Sequence, residues 1–318
     1  FQAEDGIRDI VARLVGSEMC IRDRDLREID DNSPSTTLYN DYELDDPLKL
    51  AAMEETRLFV AELLQQDLPA RNIVDSNFTF LNERLAQHYG IEGVAGTAMR
   101  KVRLYEDSVR GGLMTQASLL KVTANGTTTS PVLRGVWVTE RILGFETPPP
   151  PPVPAVEPDI RGAVTIRQQI EAHRADPSCA VCHARMDPPG LALESFDVMG
   201  AWRDRYRAVN EEVPAHSGVG LDGQMFKFHF ALPVDPSGLL MDGREFDDVR
   251  QLKAILLEDQ EQIARNLLRQ LTIYATGAPI GFSDRTAIET MLDNTRSSQF
   301  GVRSLVHQVV QSDLFQHQ

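Results

Sequence analysis

Tryptophan occurs only twice and cysteine only three times in 318 residues. So few thiols cannot build the disulfide framework of a small secreted scaffold. Positive charge is also short, with 32 Lys and Arg against 47 Asp and Glu and a formal net charge of −15. A phosphate backbone needs a basic footprint, so no nucleic-acid partner is expected. No apolar run reaches the length of about 18 residues that reads as a membrane span, so the visible chain shows no transmembrane segment. The chain also lacks a Ser-His-Asp signature, a glycine-rich phosphate loop and an internal repeat. What is present is ordinary for a globular protein: 42% hydrophobic and 25% charged residues, enough chain for one large domain or two modest ones.

Residues 1–24, "FQAEDGIRDIVARLVGSEMCIRDR", resemble translated sequencing-library adapters. Gly16 to Asp23 back-translates to a transposase adapter, and Gln2 to Asp9 fits a flow-cell primer in the same way. Setting the segment aside as an artefact removes Cys20 and leaves Cys179 and Cys182; the remainder carries −14. The natural protein is then expected to begin upstream, and a missing signal peptide carries no information about compartment.

Residues 25–46 read as a polar connection. From 47 to 145 the pattern is helical, and this stretch is read as a helical domain of unknown function. Leu50, Met53, Leu58, Ala61 and Leu64 recur at three- and four-residue steps. Asn77 is a candidate N-cap for a helix through "FTFLNERLAQHYG" that Gly90 ends. "AMRKVRLY" alternates as a short strand, while "GGLMTQASLLKVTAN" and "TSPVLRGVWVTERILG" read as further helices, the second with Pro131 in its first turn. Residues 146–159 contain the run "TPPPPPVPAVEP", which excludes helix and central strand and reads as a stiff linker. Residues 160–318 are expected to form a haem domain: a helix through "VTIRQQIEAHRADPS", a strand or hairpin through "GQMFKFHFALPVD", and two striped helices closing the chain.

Its centre is "PSCAVCHARMDPPG", residues 177–190. Closely spaced cysteines serve as a redox disulfide, a zinc knuckle or a covalent haem anchor. A c-type haem needs two thiols placed for the two vinyl groups and an imidazole next to the second thiol to ligate iron; Cys179, Cys182 and His183 supply that order. Zinc needs four ligands, and only the irregular set His173, His216 and His229 remains to complete them. A thioredoxin-like pair belongs to a βαβ unit, which the flanking pattern lacks, and a structural disulfide leaves His183 unexplained. The expected cofactor is haem c.

The wider chain resembles a known family, the planctomycete-type multidomain cytochrome-c-like proteins, whose C-terminal halves carry planctomycete-specific domains of unknown function. The residues that carry the resemblance are "FTFLNERLAQHYGI", "RGGLMTQASLLKVTANGTTTSPVLRGVWVTERILG", the proline run, "HRADPSCAVCHARMDPPGLALESFDVMGAWR" and "ARNLLRQLTIYATG". It runs from about Glu54 to the C-terminus. The resemblance implies a secreted or periplasmic haem protein with further cytochrome domains upstream, and it implies no particular reaction. One departure is Met241, which stands in "GLLMDGREF" where the family pattern has proline.

The sixth iron ligand decides the chemistry: Met raises the potential, a second His lowers it, and an open position admits small molecules. His173 ranks first, on the helix entering the motif; Met241 is a second candidate, with Met186, Met199, Met225 and His229 behind. Arg174 is a candidate partner for a haem propionate. Pro188, Pro189 and Gly190 are expected to shape a turn, Leu191, Leu193, Phe196 and Trp202 to supply apolar cover, and Asp187 and Asp197 to cap turns. His88 reads as a partner of a helix C-terminus. The fold expected is mainly α: a helical N-terminal domain plus a small helical c-type-haem domain, with few short strands. The function expected is periplasmic or other extracytoplasmic electron transfer, with a redox partner protein or an upstream cytochrome domain as partner. The alternatives are a haem-dependent oxidoreductase or peroxidase on an unknown substrate, a polymer among the options, and a haem-stapled binding or scaffold module.

Overall fold

The computed structural model describes residues 34–35, 37–42, 45–147, 165–174, 177–208, 215–220 and 223–317. The adapter-like segment, most of the polar connection and the proline run lie outside them. Helix occupies 52% and strand 15%, so the chain is mainly α with small sheets.

Asp45 accepts from the Leu48 backbone N–H and, with Pro47 in the first turn, starts α1 (Asp46–Gln65). Its buried face runs through Leu48, Ala52, Glu55, Thr56, Phe59, Val60 and Leu63, whereas Leu50 and Met53 point to solvent. The stripe drawn through Leu50 and Met53 was therefore rotated: two polar side chains occupy the inward face, and apolar periodicity cannot see them. The expected helix from Asn77 is also divided. Phe78–Leu81 forms β1, and Asn82, accepting from the Leu85 N–H, caps the shorter α2 (Glu83–Tyr89), which Gly90 ends in the left-handed region. Strand wins at Phe78–Leu81 because it pairs antiparallel with β2 (Arg100–Arg103), the strand read from "AMRKVRLY".

A 3₁₀ turn (Leu113–Thr115) leads into α3 (Ala117–Val122), and Ser130 caps α4 (Pro131–Trp137), which continues as a π-helical turn over Val138–Ile142. Beyond the proline run come α5 (Ile166–His173) and α6 (Pro177–Ala192). A three-stranded antiparallel sheet follows, in the order β3 (Arg205–Ala208), β5 (Met225–Pro233), β4 (Ala215–Val219). Then come the small hairpin β6 (Gly238–Leu239) and β7 (Glu245–Phe246) and the closing helices α7 (Val249–Leu256), α8 (Gln260–Thr276), α9 (Arg285–Asn294), α10 (Val302–Gln311) and α11 (Asp313–Gln316).

Side chains from both sides of the proline run share one apolar core. Phe59, Leu63, Phe78, Leu120, Val138 and Ile142 pack in the same cluster as Leu193, Phe196, Leu252, Leu268, Leu305 and Val309. Burial of a Leu- or Phe-sized side chain is worth about 2 kcal/mol, so this cluster is the main term holding the halves together. The closest helix pair is α4 and α6. A Cβ on Gly135 would lie 1.7 Å from the Met186 carbonyl oxygen, and one on Gly190 would lie 1.7 Å from the Pro131 oxygen, so two glycines let the backbones touch.

Candidate functional site: the Cys-His helix

The motif is helical throughout. Cys179, Cys182 and His183 occupy the first two turns of α6, one face apart by three and four residues, with Met186 and Asp187 next on that face. Pro188 and Pro189 lie inside the same helix, buried, so the turn expected at Pro188–Gly190 does not form there. Each proline lacks an N–H, so the helical bonds to the Ala184 and Arg185 carbonyls are missing. Close packing on α4 offsets that loss and keeps the segment helical.

His183 is held from below. Its Nδ1 lies 2.9 Å from Oδ1 and 3.1 Å from Oδ2 of Asp187, one helical turn on, and that carboxylate is wholly buried while the imidazole is mostly so. A buried carboxylate accepts the Nδ1 proton, which fixes the tautomer and the ring orientation. Asp187 therefore orients the imidazole instead of capping a turn. Cys182 carries a free, part-buried thiol. The Cys179 and His173 side chains lie outside the described residues. His173 ends α5, which packs on α6 through Ile166, Ile170 and Leu191.

Around the motif the surface is apolar. Val181 is largely exposed, Arg185 sits 5.2 Å over the Phe145 ring, and the β6–β7 hairpin beside α6 exposes Leu239 and Met241. Arg174, the propionate candidate, follows α5 in a part-buried turn, its N–H on the Ile170 carbonyl. Of the remaining ligand candidates, Met186 is buried on the motif's own helix, Met199 is buried after it, Met225 is exposed on β5, and His229 is buried on β5 between Ala208 and Ala215. His216, on β4, packs against Phe226, Phe228 and Phe230. No group of three or more His, Cys, Asp or Glu side chains that could hold a metal ion occurs among the described residues. What the described part of the motif offers is a donor set suited to covalent haem: a free thiol next to an imidazole whose Nδ1 is already engaged.

The far end of α6 is clamped by α4. The fully buried Arg134 donates from Nη1 to the Leu193 and Phe196 carbonyls, both at 2.7 Å, and from Nη2 to the carbonyls of Asp197 at 2.8 Å and Leu120 at 3.2 Å. Burial lowers its pKa to about 10, and Glu194, 3.5 Å away, offsets part of that. Asp197 does cap a turn, accepting from the Met199 and Ala201 N–H groups, and it also takes the Tyr42 hydroxyl at 2.7 Å. Leu191, Leu193 and Phe196 are core residues, whereas Trp202 is 40% exposed.

Sequence reasoning missed a buried polar network beside this core. Glu55 accepts from Thr79 Oγ1 at 2.5 Å and from the Tyr89 hydroxyl at 2.6 Å, and Arg110 stacks 3.8 Å over the Tyr89 ring. Burial raises the Glu55 carboxyl to about 7. Its neighbour His88 lies 2.8 Å from the Met199 carbonyl through Nε2, and burial lowers it to about 4, so the ring is neutral. His88 does sit at the C-terminal end of α2, but a neutral ring is no dipole partner. Glu55 and Thr56 interrupt an apolar face at helical spacing, which is the sequence signal that points to the network.

Three families match the chain. Residues 13–91 match a protein of unknown function, DUF1592; residues 110–206 match DUF1588; residues 242–315 match DUF1585. All are planctomycete-type, cytochrome-c-associated domains of unknown function. The first match begins within the adapter-like segment, and the second runs from Arg110 across the proline run to Tyr206, taking in α4 and α6 together. No curated protein and no solved structure matches the chain.

Proposed function

We propose that this chain is a c-type haem protein, with Cys179 and Cys182 as covalent anchors and His183 as proximal ligand, and that it carries electrons to a redox partner protein or an upstream cytochrome domain. The carrying observation is the buried Asp187 carboxylate against His183 Nδ1, the second partner a metal-ligating histidine ordinarily has. Similarity to cytochrome-c-associated domains points the same way. A bound haem supplies one-electron chemistry at iron. The protein's part is to hold the Nδ1 proton on Asp187, fix the α6 face against α4, and present the exposed apolar surface of Val181, Phe145 and Leu239 to the macrocycle. His173 and Met241 are the sixth-ligand candidates, and Arg174 the propionate partner. Because haem is attached outside the bacterial cytoplasmic membrane, the reading carries a periplasmic or extracytoplasmic location with it. Among the described residues no helix is long and apolar enough to cross a membrane.

The test is expression with the haem-maturation machinery, followed by denaturing mass measurement and pyridine-haemochrome spectra. A covalent haem mass increment that Cys179→Ala with Cys182→Ala removes, and a low-spin spectrum indifferent to carbon monoxide, support the proposal. No increment overturns it. High-spin iron that binds carbon monoxide overturns electron transfer in favour of a haem oxidoreductase or peroxidase.

A further inference from the structure

Away from the Cys-His helix, a cleft of about 500 Å³ opens between the three-stranded sheet and the loop that follows α6. Arg205 and Arg207 alternate along β3, Phe228 and Phe230 lie two apart on β5, and Tyr42, Asp197, Trp202, Arg203 and Asp204 complete its walls. Trp202 and Phe230 stand at its rim, 40% and 42% exposed, in a protein with only two tryptophans. The Trp202 ring is set edge-on against Phe196, centroids 5.4 Å apart, and its Nε1–H is taken by Asp204 Oδ1 at 3.0 Å. The indole is thereby fixed with its N–H satisfied, and what it offers a ligand is ring surface.

The charges around that surface are unequal. Arg203 is matched by Glu194, and Arg207 by Asp41, with the Arg207 guanidinium 3.9 Å over the Phe228 ring. Arg205 is exposed, and among the described residues its one hydrogen bond is to the Ala231 carbonyl. A guanidinium with no carboxylate partner among the described residues, on the wall of a cleft in a protein of net charge −15, is a local site for an anion. Asp204 Oδ2 accepts nothing among the described residues, so a hydroxyl donor has a partner there. A fixed aromatic surface, an anion-binding guanidinium and a carboxylate acceptor match a sugar ring bearing an acid: its C–H face packs on the indole, its acid pairs with Arg205 and a hydroxyl donates to Asp204.

We propose that this cleft binds an acidic saccharide, a sugar ring carrying a carboxylate or a sulfate, and that Trp202 and Arg205 are its main contacts. The experiment titrates the full chain with tetragalacturonate, a sulfated carrageenan tetrasaccharide and uncharged cellotetraose, following Trp202 emission and calorimetric heat. Trp202→Phe, which leaves Trp137 as the one indole, assigns the emission change. The expected result is saturable binding of at least one acidic probe, about tenfold tighter than cellotetraose, with the carboxylated and sulfated arms showing which acid is preferred. Trp202→Ala is expected to weaken that binding about tenfold, and Arg205→Gln to abolish the preference over cellotetraose and its salt dependence. Circular dichroism checks that both variants keep their helical content. Equal affinity for the uncharged probe, no binding by either acidic probe, or undiminished affinity in a folded Trp202→Ala protein would each overturn the proposal.

Discussion

Replacing Gly135 by alanine sets two physical effects against each other with opposite signs. Gly135 lies in the middle of α4, where a helix interior gains about 1 kcal/mol on Gly→Ala from reduced backbone freedom. Packing says the reverse. The new Cβ would sit 1.7 Å from the Met186 carbonyl oxygen, 2.7 Å from its carbon and 3.2 Å from the Gly190 nitrogen. Carbon and a neighbouring heavy atom settle at about 3.5 Å, so α4 and α6 must part by more than 1 Å. The obstruction is backbone, which no rotamer change relieves. Overpacking of this kind costs about 3 kcal/mol, the upper part of its usual range, leaving a net loss of about 2 kcal/mol after the helix gain. For a chain of this size that is a fall of about 3 °C in melting temperature. Thermal and urea unfolding followed at 222 nm would read it directly. A melting temperature equal to or above the parent's would refute the close crossing, and with it the account of how α6 is held.

Other consequences can be read with similar measurements. Glu55, pushed by burial from its ordinary 4.5 to about 7, binds a proton in the folded state that the unfolded chain has released. Stability from this group therefore falls as pH rises from 4.5 to 7, by about 3 kcal/mol in all; Glu55→Gln is expected to flatten that limb in urea midpoints taken from pH 5 to 8, and an unchanged slope would exclude Glu55 as its source. His88 works in the opposite sense: lowered to about 4, it stabilises above pH 6.5 and that contribution disappears as pH falls from 6.5 through 4. His88→Gln should remove the acid-side loss, as read by melting temperature at pH 4.5 and 7. Arg134→Met deletes the donors to four buried carbonyls and is expected to destabilise by about 3 kcal/mol or more, and a urea midpoint within error of the parent would contradict the clamp. Asp187→Asn, in haem-loaded protein, is expected to raise the midpoint potential, since a neutral partner leaves the imidazole a weaker donor. An unchanged potential would mean Asp187 does not act on the ligand.

The sequence was most legible where one physical rule acted alone. The β5 strand stood out as alternation, α10 as an uninterrupted apolar stripe, and the Gly90 stop as a left-handed C-cap. It was least legible where tertiary contacts overrode local preference. Pro188 and Pro189 are turn residues by every local rule, yet α4 packs against them and they stay helical. Phe78–Leu81 is strand because β2 pairs with it, and the α1 face was misplaced because Glu55 and Thr56 turn inward to partners far along the chain. The proline run carries no information about which side chains meet across it, and here they meet in one core. At the motif, order and spacing single out Cys179, Cys182 and His183 as candidate donors. Asp187 reads from sequence as a turn cap, because a carboxylate four residues on becomes a histidine partner only where the segment is helical.

The two ends of α6 are built to opposite specifications. Its C-terminal half is fixed by backbone contact at Gly190, by buried prolines, and by Arg134 gripping the carbonyls that follow the helix. Its N-terminal half exposes Val181 and leaves Cys182 and His183 part-buried, with the Asp187 carboxylate against the His183 ring. A helix that served only as a core strut would have no need for a wholly buried carboxylate against a mostly buried imidazole, because burying Asp187 is unfavourable unless a proton donor meets it. The stability given up there is understandable if the imidazole must keep one orientation while its other edge meets an incoming group. The rigid half supplies the fixed base for that orientation, which is why damage at Gly135, on a different helix, is expected to propagate to His183.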